Sequence, residues 1–204
     1  MMSPSVQSRD AAVFVHPRAL CESEQVGAGT RIWAFAHVMS DARVGKDCNI
    51  GDHAFLESGA TLGDGVVVKN GAMIWDGVTI EDEVFIGPGV MFTNDRFPRS
   101  RRSPAAMRRY AHAENWREPT LVRRGASIGA RAVILCGITV GAYACVAAGA
   151  VVTHDVPEHA LIAGHPARAI GWVCACGLRL AKALRCEACA RAYVLQGEHL
   201  SIAE

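Results

Sequence analysis

The sequence predicts an all-β solenoid in which three short parallel strands and three turns make each coil. The first observation is a six-residue period: from Val26 to Phe97 the chain divides into units such as VGAGTR and IWAFAH, nearly all led by an aliphatic residue. The second is that this period resumes at Val122. Neither the helical period of 3.6 nor strand alternation places an aliphatic residue at every sixth position. A three-sided coil does, because each leading residue points into a shared interior and stacks on its equivalent in the next coil.

The third observation concerns the other positions of the unit. The fifth position is mostly small, as in Ala42, Ala54 and Ala126, which suits the tight corners of a prism. Glycines at the second and fourth positions suit turns that need a positive φ. A β-sandwich, the main alternative, does not predict a fixed six-residue register. Eighteen units follow the pattern, enough for six full coils.

The same pattern divides the chain into segments. Residues 26–172 form the predicted solenoid, and residues 1–25, which end in the weaker unit LCESEQ, form an N-terminal cap. Residues 98–121 contain no unit of the repeat and are predicted to be a long inserted loop. Residues 173–204 form a small C-terminal tail rich in cysteine.

Composition limits the classes of function. The 204 residues carry a formal net charge of +1, so we expect no broad basic surface and no nucleic-acid partner. Glycine or a charge interrupts every apolar stretch before the roughly 20 residues of a membrane span, so no membrane insertion is expected. The polar start MMSPSVQSRD has no apolar core of a signal peptide. We therefore expect a cytoplasmic protein whose cysteines stay reduced or bind metal.

The point where the repeat stops carries the strongest local signal. The last unit, FTNDRF, places Asn94 and Asp95 at the mouth of the loop, and the loop itself is rich in arginine and proline. A long excursion from a regular scaffold is more often functional than accidental. The alternative is a solvated insertion whose arginines keep it soluble.

These motifs resemble a known family. The [LIV]-G-x-x-[AV]-x repeat is similar to that of the left-handed β-helix acyltransferases over about residues 13–172. The phrase FTNDRFPRS resembles that of nucleotide-sugar N-acetyltransferases, most closely the UDP-2-acetamido-3-amino-2,3-dideoxy-glucuronate N-acetyltransferases, and GHPAR resembles an ending found across the wider hexapeptide acyltransferases. The resemblance implies a left-handed helix, acetyl-CoA as co-substrate and a homotrimer with active sites between subunits. It also implies N-acetylation of a UDP- or dTDP-linked amino sugar, a 3-amino-hexose or 3-amino-hexuronate, for surface polysaccharide biosynthesis.

Acetyl transfer to an amine needs a neutral amine, a positioned thioester and a donor for the developing oxyanion. The family motif implies that Asn94 lies closest to the reacting groups, where its amide orients the sugar amine or the thioester. Asp95 either accepts a hydrogen bond from the amine or ties the loop down. Glu57, one coil below in the family pattern, either helps to receive the proton or is an exposed carboxylate on a turn.

Substrate-binding candidates come from units whose usual small residues are replaced by bulky or polar ones. Lys69, Asn70, Trp75 and Asp76 lie in successive units and are expected to form one cluster. Tryptophan and lysine at such corners suit contact with a sugar or base, and a guanidinium suits a diphosphate or a sugar carboxylate. Trp75 can equally pack under the loop. Arg99 belongs to the family phrase. The candidates are Arg31, His37, Lys69, Asn70, Trp75, Asp76 and Arg99.

The coenzyme A groove is expected in the last coils, which are rich in glycine and alanine. Small side chains there would let a pantetheine arm lie against the backbone, although alanine also fits tight corners without any ligand. Arg168 in GHPAR is a candidate phosphate contact, and His165 departs from the asparagine usual in that phrase. The remaining cofactor-binding candidates are Gly129, Ala130, Ala147 and Ala148.

The tail holds two closely spaced cysteine pairs, Cys174 with Cys176 and Cys186 with Cys189. Four thiolates are the ligands of a closed structural zinc site, and a segment of about thirty residues buries too little to fold unaided. The sequence therefore predicts structural Zn²⁺; free thiols are the alternative. Such a tail also resembles one found in some members of the same acetyltransferase group.

The sequence also offers residues for three other functions. An O-acetyltransferase needs a true base, which His112 in the loop would supply. A non-catalytic scaffold would use the prism and the tail for docking. A zinc lyase of the γ-carbonic-anhydrase type would use His154 and His159, but no third histidine lies at a matching corner of a nearby coil.

Overall fold

A computed structural model describes residues 12–197 and 199–203, and its elements are short strands. Before the loop the strands are β1 Phe14–Val15, β2 Leu20–Cys21, β3 Arg31–Ile32, β4 His37–Val38, β5 Arg43–Val44, β6 Asn49–Ile50, β7 Phe55–Leu56, β8 Thr61–Leu62, β9 Val67–Val68, β10 Met73–Ile74, β11 Val78–Ile80, β12 Phe85–Ile86 and β13 Met91–Phe92. After it come β14 Thr120–Val122, β15 Ser127–Ile128, β16 Val133–Ile134, β17 Thr139–Val140, β18 Cys145–Val146, β19 Val151–Val152, β20 Ala160–Gly164, β21 Ala167–Trp172, β22 Tyr193–Gln196 and β23 His199–Ile202.

The strands build a three-sided solenoid, which confirms the predicted fold class. Sheet A runs β1-β3-β6-β9-β12-β15-β18-β20, sheet B runs β2-β4-β7-β10-β13-β16-β19 and sheet C runs β5-β8-β11-β14-β17, all in parallel. Partners lie 18 residues apart, as in the Asn49–Val67 pair, so one coil contains three six-residue units. The solenoid extends past the six predicted coils, because strands with weaker repeats, such as β1 and β2 in the predicted cap, also pair. Residues 1–11 of that cap lie outside the described residues.

The leading residues of the units form the core. From Ile32 to Val152 every leading residue is at most 4% exposed, and the small fifth-position residues are buried beside them. Phe92 is among the largest fully buried side chains and marks the last coil before the loop. The interior is thus one continuous apolar column, and functional side chains can lie only on its outside.

The loop leaves sheet B after β13 and returns to sheet C at β14, so it spans residues 93–119, whereas the sequence predicted 98–121. It contains two short 3₁₀ helices, Arg109–Ala111 and Ala113–Asn115. Across it the strand register jumps to 42 residues, as in the Met91–Val133 pair, so the loop is an insertion into an unbroken prism. In the part of the chain that the structure describes, no helix is long and apolar enough to cross a bilayer.

The C-terminal end departs from the parallel pattern. β21 turns back along β20 in antiparallel register, and β22 and β23 form a separate antiparallel pair. Cys174, Leu180, Cys186, Tyr193 and Leu200 form a small second core there. Trp172 packs against both this core and the main one.

Candidate active site

The polar candidates lie on two edges of the prism. The A–B edge is the line of turns that leads from sheet A to sheet B, and the B–C edge leads from sheet B to sheet C. Glu57, Asp76 and Asn94 follow β7, β10 and β13 of sheet B, so they stack on the B–C edge in successive coils. The loop begins and ends at this edge, which makes it the candidate active site.

Asp76 connects the two predicted catalytic residues on either side of it. Its backbone N–H donates to Oε2 of Glu57 at 2.9 Å. Its backbone carbonyl accepts a hydrogen bond of 3.3 Å from Nδ2 of Asn94. Among the described residues no hydrogen bond to Oδ1 of Asn94 is seen, so this oxygen remains available. A carbonyl can only accept, so the Asn94 amide must direct its NH2 group, and not its oxygen, to the Asp76 carbonyl.

Asp95 is occupied by the loop. Tyr110 donates to Oδ2 at 2.6 Å, the backbone N–H of Phe97 donates to Oδ1 at 2.9 Å, and the Arg109 guanidinium forms an ion pair with the same carboxylate. Only 9% of the Asp95 side chain is exposed. Burial raises the pKa of Asp95, but the hydrogen bonds from Tyr110, Arg109 and Phe97 outweigh it and hold the pKa below its ordinary value. Of the two predicted roles, this geometry fits tying the loop down.

Two further ion pairs hold the returning end of the loop. Arg96 donates through Nε to both carboxylate oxygens of Glu118, at 3.0 and 3.2 Å, and Arg117 donates through NH1 to both oxygens of Asp76, each at 2.7 Å. The Asp76 carboxylate, a predicted substrate contact, is therefore engaged by the protein itself. The roles of Arg117, Arg109 and Tyr110 were not predicted, and no sequence signal distinguishes them from the other loop residues.

The remaining substrate candidates are dispersed. Lys69 and Asn70 follow β9 and lie exposed on the A–B edge, one sheet away from Trp75 and Asp76 on the B–C edge. The four residues therefore do not form one cluster within a single chain. Trp75 packs against the core and its ring lies 5.4 Å from that of Phe55.

The last three substrate candidates lie on sheet A, on sheet B and on the loop. Arg31 lies over the rings of Phe14 and Trp33, at 5.5 and 5.6 Å from their centroids. His37 pairs with Glu22 at 3.0 Å. Arg99 is exposed on the loop, where its backbone N–H donates to the Tyr110 hydroxyl at 2.7 Å.

The cofactor candidates divide between the A–B edge and the end of the prism. Gly129, Ala130, Ala147 and Ala148 occupy the A–B edge. A Cβ at Gly129 would collide with the backbone of Ala148, so coil stacking alone accounts for that glycine. Arg168 lies on β21, at a cavity of about 450 Å³ between this strand and the last coil. His154 and Asp155, which continue the B–C edge, line the same cavity.

The histidines of the alternative functions are not arranged for them. His159 is buried, donates a 3.0 Å hydrogen bond from Nδ1 to the Val173 carbonyl and stacks on Tyr143, whereas His154 is exposed. The pair does not form a metal site. His112 is exposed on the loop, and no hydrogen bond of its ring is seen among the described residues.

The four tail cysteines converge. Their sulfur atoms all lie within 4.8 Å of one another, with 3.4 Å between Cys174 and Cys189 and between Cys176 and Cys186. Tetrahedral zinc with Zn–S bonds of about 2.3 Å places its sulfurs about 3.8 Å apart, which this spacing fits. Burial raises the pKa of Cys174, but hydrogen bonds from the Cys176 backbone, Tyr193 and Cys189 outweigh it and lower the pKa to about 6. The donor set and geometry suit a thiophilic metal ion.

Models of known protein families match the repeats on both sides of the loop. The family model described as "Bacterial transferase hexapeptide (six repeats)" matches residues 25–58 and 59–94, and "Hexapeptide repeat of succinyl-transferase" matches residues 124–154. The gap between the matches coincides with the inserted loop.

Individual relatives extend this likeness. The dTDP-3-amino-3,6-dideoxy-alpha-D-galactopyranose 3-N-acetyltransferase of Aneurinibacillus thermoaerophilus is 49% identical over 175 residues, 86% of either chain. A Vibrio cholerae hexapeptide-repeat acetyltransferase, solved with acetyl coenzyme A, is 27% identical over 64% of this chain and 70% of its own, with a TM-score of 0.52. PerB of Caulobacter crescentus, solved with CoA and GDP-perosamine, shares the fold at 20% identity and a TM-score of 0.56; the match spans 79% of this chain and 58% of PerB. By its repeats, its fold and its 49% identity to one member, this chain belongs to the hexapeptide-repeat acetyltransferases.

Proposed function

We propose that this protein transfers the acetyl group of acetyl-CoA to the amino group of a nucleotide-linked amino sugar. The observation that carries the proposal is the orientation of Asn94, whose Nδ2 is held by Asp76 while its Oδ1 is free to accept. The name of the 49% identical relative, a dTDP-3-amino sugar 3-N-acetyltransferase, supports this substrate class.

The proposed mechanism of acetyl transfer depends on Oδ1 of Asn94. Oδ1 of Asn94 accepts a hydrogen bond from the sugar amine and turns the nitrogen lone pair toward the thioester. The new C–N bond forms as the C–S bond breaks, and the coenzyme A thiolate leaves and takes up the proton that the amine loses. Glu57 keeps Asp76 in place through Oε2. A sugar amine that is already partly neutral near pH 7 to 8 needs no strong protein base, in line with this site.

The second half of the site comes from a neighbouring copy. The B–C edge carries Asn94, and the A–B edge carries Lys69, Asn70 and the small residues from Gly129 onward, so one chain does not bring the two together. Three prisms packed around an axis place the B–C edge of one beside the A–B edge of the next. The outer face of sheet B, where Phe55, Met73 and Met91 point outward, supplies apolar surface for that contact. We therefore propose a homotrimer with the substrates bound between subunits.

The proposal includes a zinc ion in the C-terminal tail and a location in the cytoplasm. The four tail cysteines hold structural Zn²⁺, which closes a small core of only a few buried residues. The eight cysteines are all unpaired, in line with the reducing conditions of the cytoplasm.

The test is acetyl-CoA turnover, followed as thiol release, on UDP- and dTDP-linked 3-amino and 4-amino sugars and on a matching hydroxyl sugar. We expect turnover on an amino sugar that Asn94→Ala lowers on the order of 100-fold. Asn115→Ala, at the end of the second 3₁₀ helix, is the matched control and should retain activity. Turnover on the hydroxyl sugar alone, with no effect at Asn94, would replace this proposal with O-acetyl transfer.

A further inference from the structure

We infer that Arg117 is a positioning residue for acetyl transfer: by holding Asp76 it sets the orientation of the Asn94 amide. This inference rests on the proposed function and deepens it. Arg117 is on the loop, 41 residues from Asp76 in the chain, and its NH1 reaches both carboxylate oxygens at 2.7 Å. Among the described residues, no other side chain of the loop forms a hydrogen bond or ion pair with the Asp76 carboxylate.

Asp76 transmits the effect because all three of its polar groups are engaged. The carboxylate is held by Arg117, the N–H by Glu57 and the carbonyl by Asn94. The carbonyl and the carboxylate of Asp76 belong to one residue in a tight turn. The ion pair between Arg117 and the carboxylate therefore restricts the movement of the peptide group whose carbonyl accepts from Asn94. At 3.3 Å the Asn94 bond is long for a hydrogen bond, so a small shift of that peptide would release the amide.

The backbone around Arg117 shows that this contact is built into the turn. Arg117 pairs with Asp95 through an isolated antiparallel bridge, directly beside Asn94. Its aliphatic stem lies over Gly77, where a Cβ would come within 3.0 Å of Cδ of Arg117 and where φ is +86°. Glycine therefore serves both the turn and the close approach of the arginine.

The ion pair between Arg117 and Asp76 adds little to the stability of the fold. The side chain of Arg117 is 38% exposed and that of Asp76 is 25% exposed, and surface pairs of this kind contribute little to folding. If loss of Arg117 lowers the rate of acetyl transfer but leaves the melting temperature unchanged, then Arg117 acts on the orientation of the Asn94 amide and not on the stability of the fold. This separates a positioning role from a merely structural one.

The experiment measures kcat, KM for the amino sugar and the melting temperature for Arg117→Ala, alone and combined with Asn94→Ala. We expect kcat to fall on the order of 10- to 100-fold with KM nearly unchanged and the melting temperature within about 2 °C of wild type. In the Asn94→Ala background Arg117→Ala should cause no further fall, because both changes remove the same contact. Arg117→Lys, which can still reach Asp76 with one donor group, should retain more activity than Arg117→Ala.

The matched control is Arg124→Ala, which breaks a similar exposed pair with Asp82 at 2.6 Å outside the B–C edge and should leave kcat unchanged. A second readout does not depend on activity: the side-chain NH2 signal of Asn94 in a ¹⁵N correlation spectrum, assigned by its loss in Asn94→Ala. It should move in Arg117→Ala and stay in place in Arg124→Ala. An unmoved signal, an unchanged kcat or additive losses would overturn the inference. A fully active Asn94→Ala would likewise overturn the inference, whereas the proposed function itself fails if the wild-type protein turns over no amino sugar.

Discussion

The Tyr110 hydroxyl donates a 2.6 Å hydrogen bond to Oδ2 of Asp95, joining the first 3₁₀ helix of the loop to the edge of the prism. Arg109, the preceding residue, forms an ion pair with the same carboxylate. The buried carboxylate of Asp95, which lies where the chain leaves the prism, thereby anchors the loop segment that follows it. The loop is held mainly by such polar contacts, since its one buried side chain is Ala106.

Removal of Asp95 should therefore release the loop. In Asp95→Ala, Tyr110 and Arg109 lose their shared acceptor, which we expect to lower the free energy of unfolding by about 1–3 kcal/mol. Trypsin cleavage within residues 98–121, where arginines are plentiful, should be faster than in wild type. Asp82→Ala, which removes an exposed ion pair, is the control and should be cleaved at the wild-type rate. Equal resistance of Asp95→Ala would show that other contacts hold the loop.

Acid should have the same effect as the substitution. The folded pKa of Asp95 lies below its ordinary value, so the carboxylate contributes its full stability above about pH 4 and loses it as the pH falls through the lower folded pKa. The difference in free energy of unfolding between wild type and Asp95→Asn should shrink as the pH is lowered from 5 to below 3. Denaturant titrations at each pH measure it. A difference that stays constant over this pH range would contradict the assigned cause.

Metal content tests the tail. We expect one zinc ion per chain, lost in Cys174→Ser and retained in Cys145→Ser, whose thiol lies outside the cluster. Tyr193→Phe removes the hydroxyl that lies 3.1 Å from the Cys174 sulfur and should weaken metal retention about 10-fold. Competition with a chromogenic chelator gives the affinity, and cobalt substitution gives a thiolate absorption band. Equal zinc content in Cys174→Ser and wild type would exclude the cluster as the site.

The core below the site should be intolerant of truncation. Phe92 is fully buried and immediately precedes Thr93 and Asn94, so Phe92→Ala should lower the free energy of unfolding by about 3–5 kcal/mol through loss of apolar contact and formation of a cavity. Phe97→Ala is the control, since that ring is 68% exposed, and should change stability by less than about 0.5 kcal/mol. Chemical denaturation measures both variants. A small loss at Phe92 would mean that the coil collapses around the gap.

The fold could be predicted almost completely because its signal is local and repeated. Each leading residue, such as Ile32, Ile86 or Val140, has the same environment in every coil, so one pattern determines all of them. The positions of Asn94 and Asp95 at the loop's mouth followed from the same counting. The side chains that hold Asp95 and Asp76 could not be predicted, because Arg109, Tyr110 and Arg117 lie on a segment with no repeat.

Exterior residues were harder to group than interior ones. Lys69 and Trp75 both replace the usual small second residue of their units, which suggested a common cluster in the sequence. One unit along the chain is one sheet around the prism, so the two lie on different edges. Residues six positions apart in the sequence meet in the same interior if their side chains point inward. If their side chains point outward, they lie on different sides of the prism.

The sequence alone determined the coil, its 18-residue register, the interior and the convergence of four cysteines, because these follow from backbone geometry that repeats and from short spacings. Only the tertiary structure decided that Asp95 anchors the loop, that Arg117 reaches Asp76 and that Asn94 donates through Nδ2 to the Asp76 carbonyl. Those contacts depend on where a 24-residue excursion returns to the scaffold and on the rotamers that its side chains then adopt, neither of which a local pattern specifies.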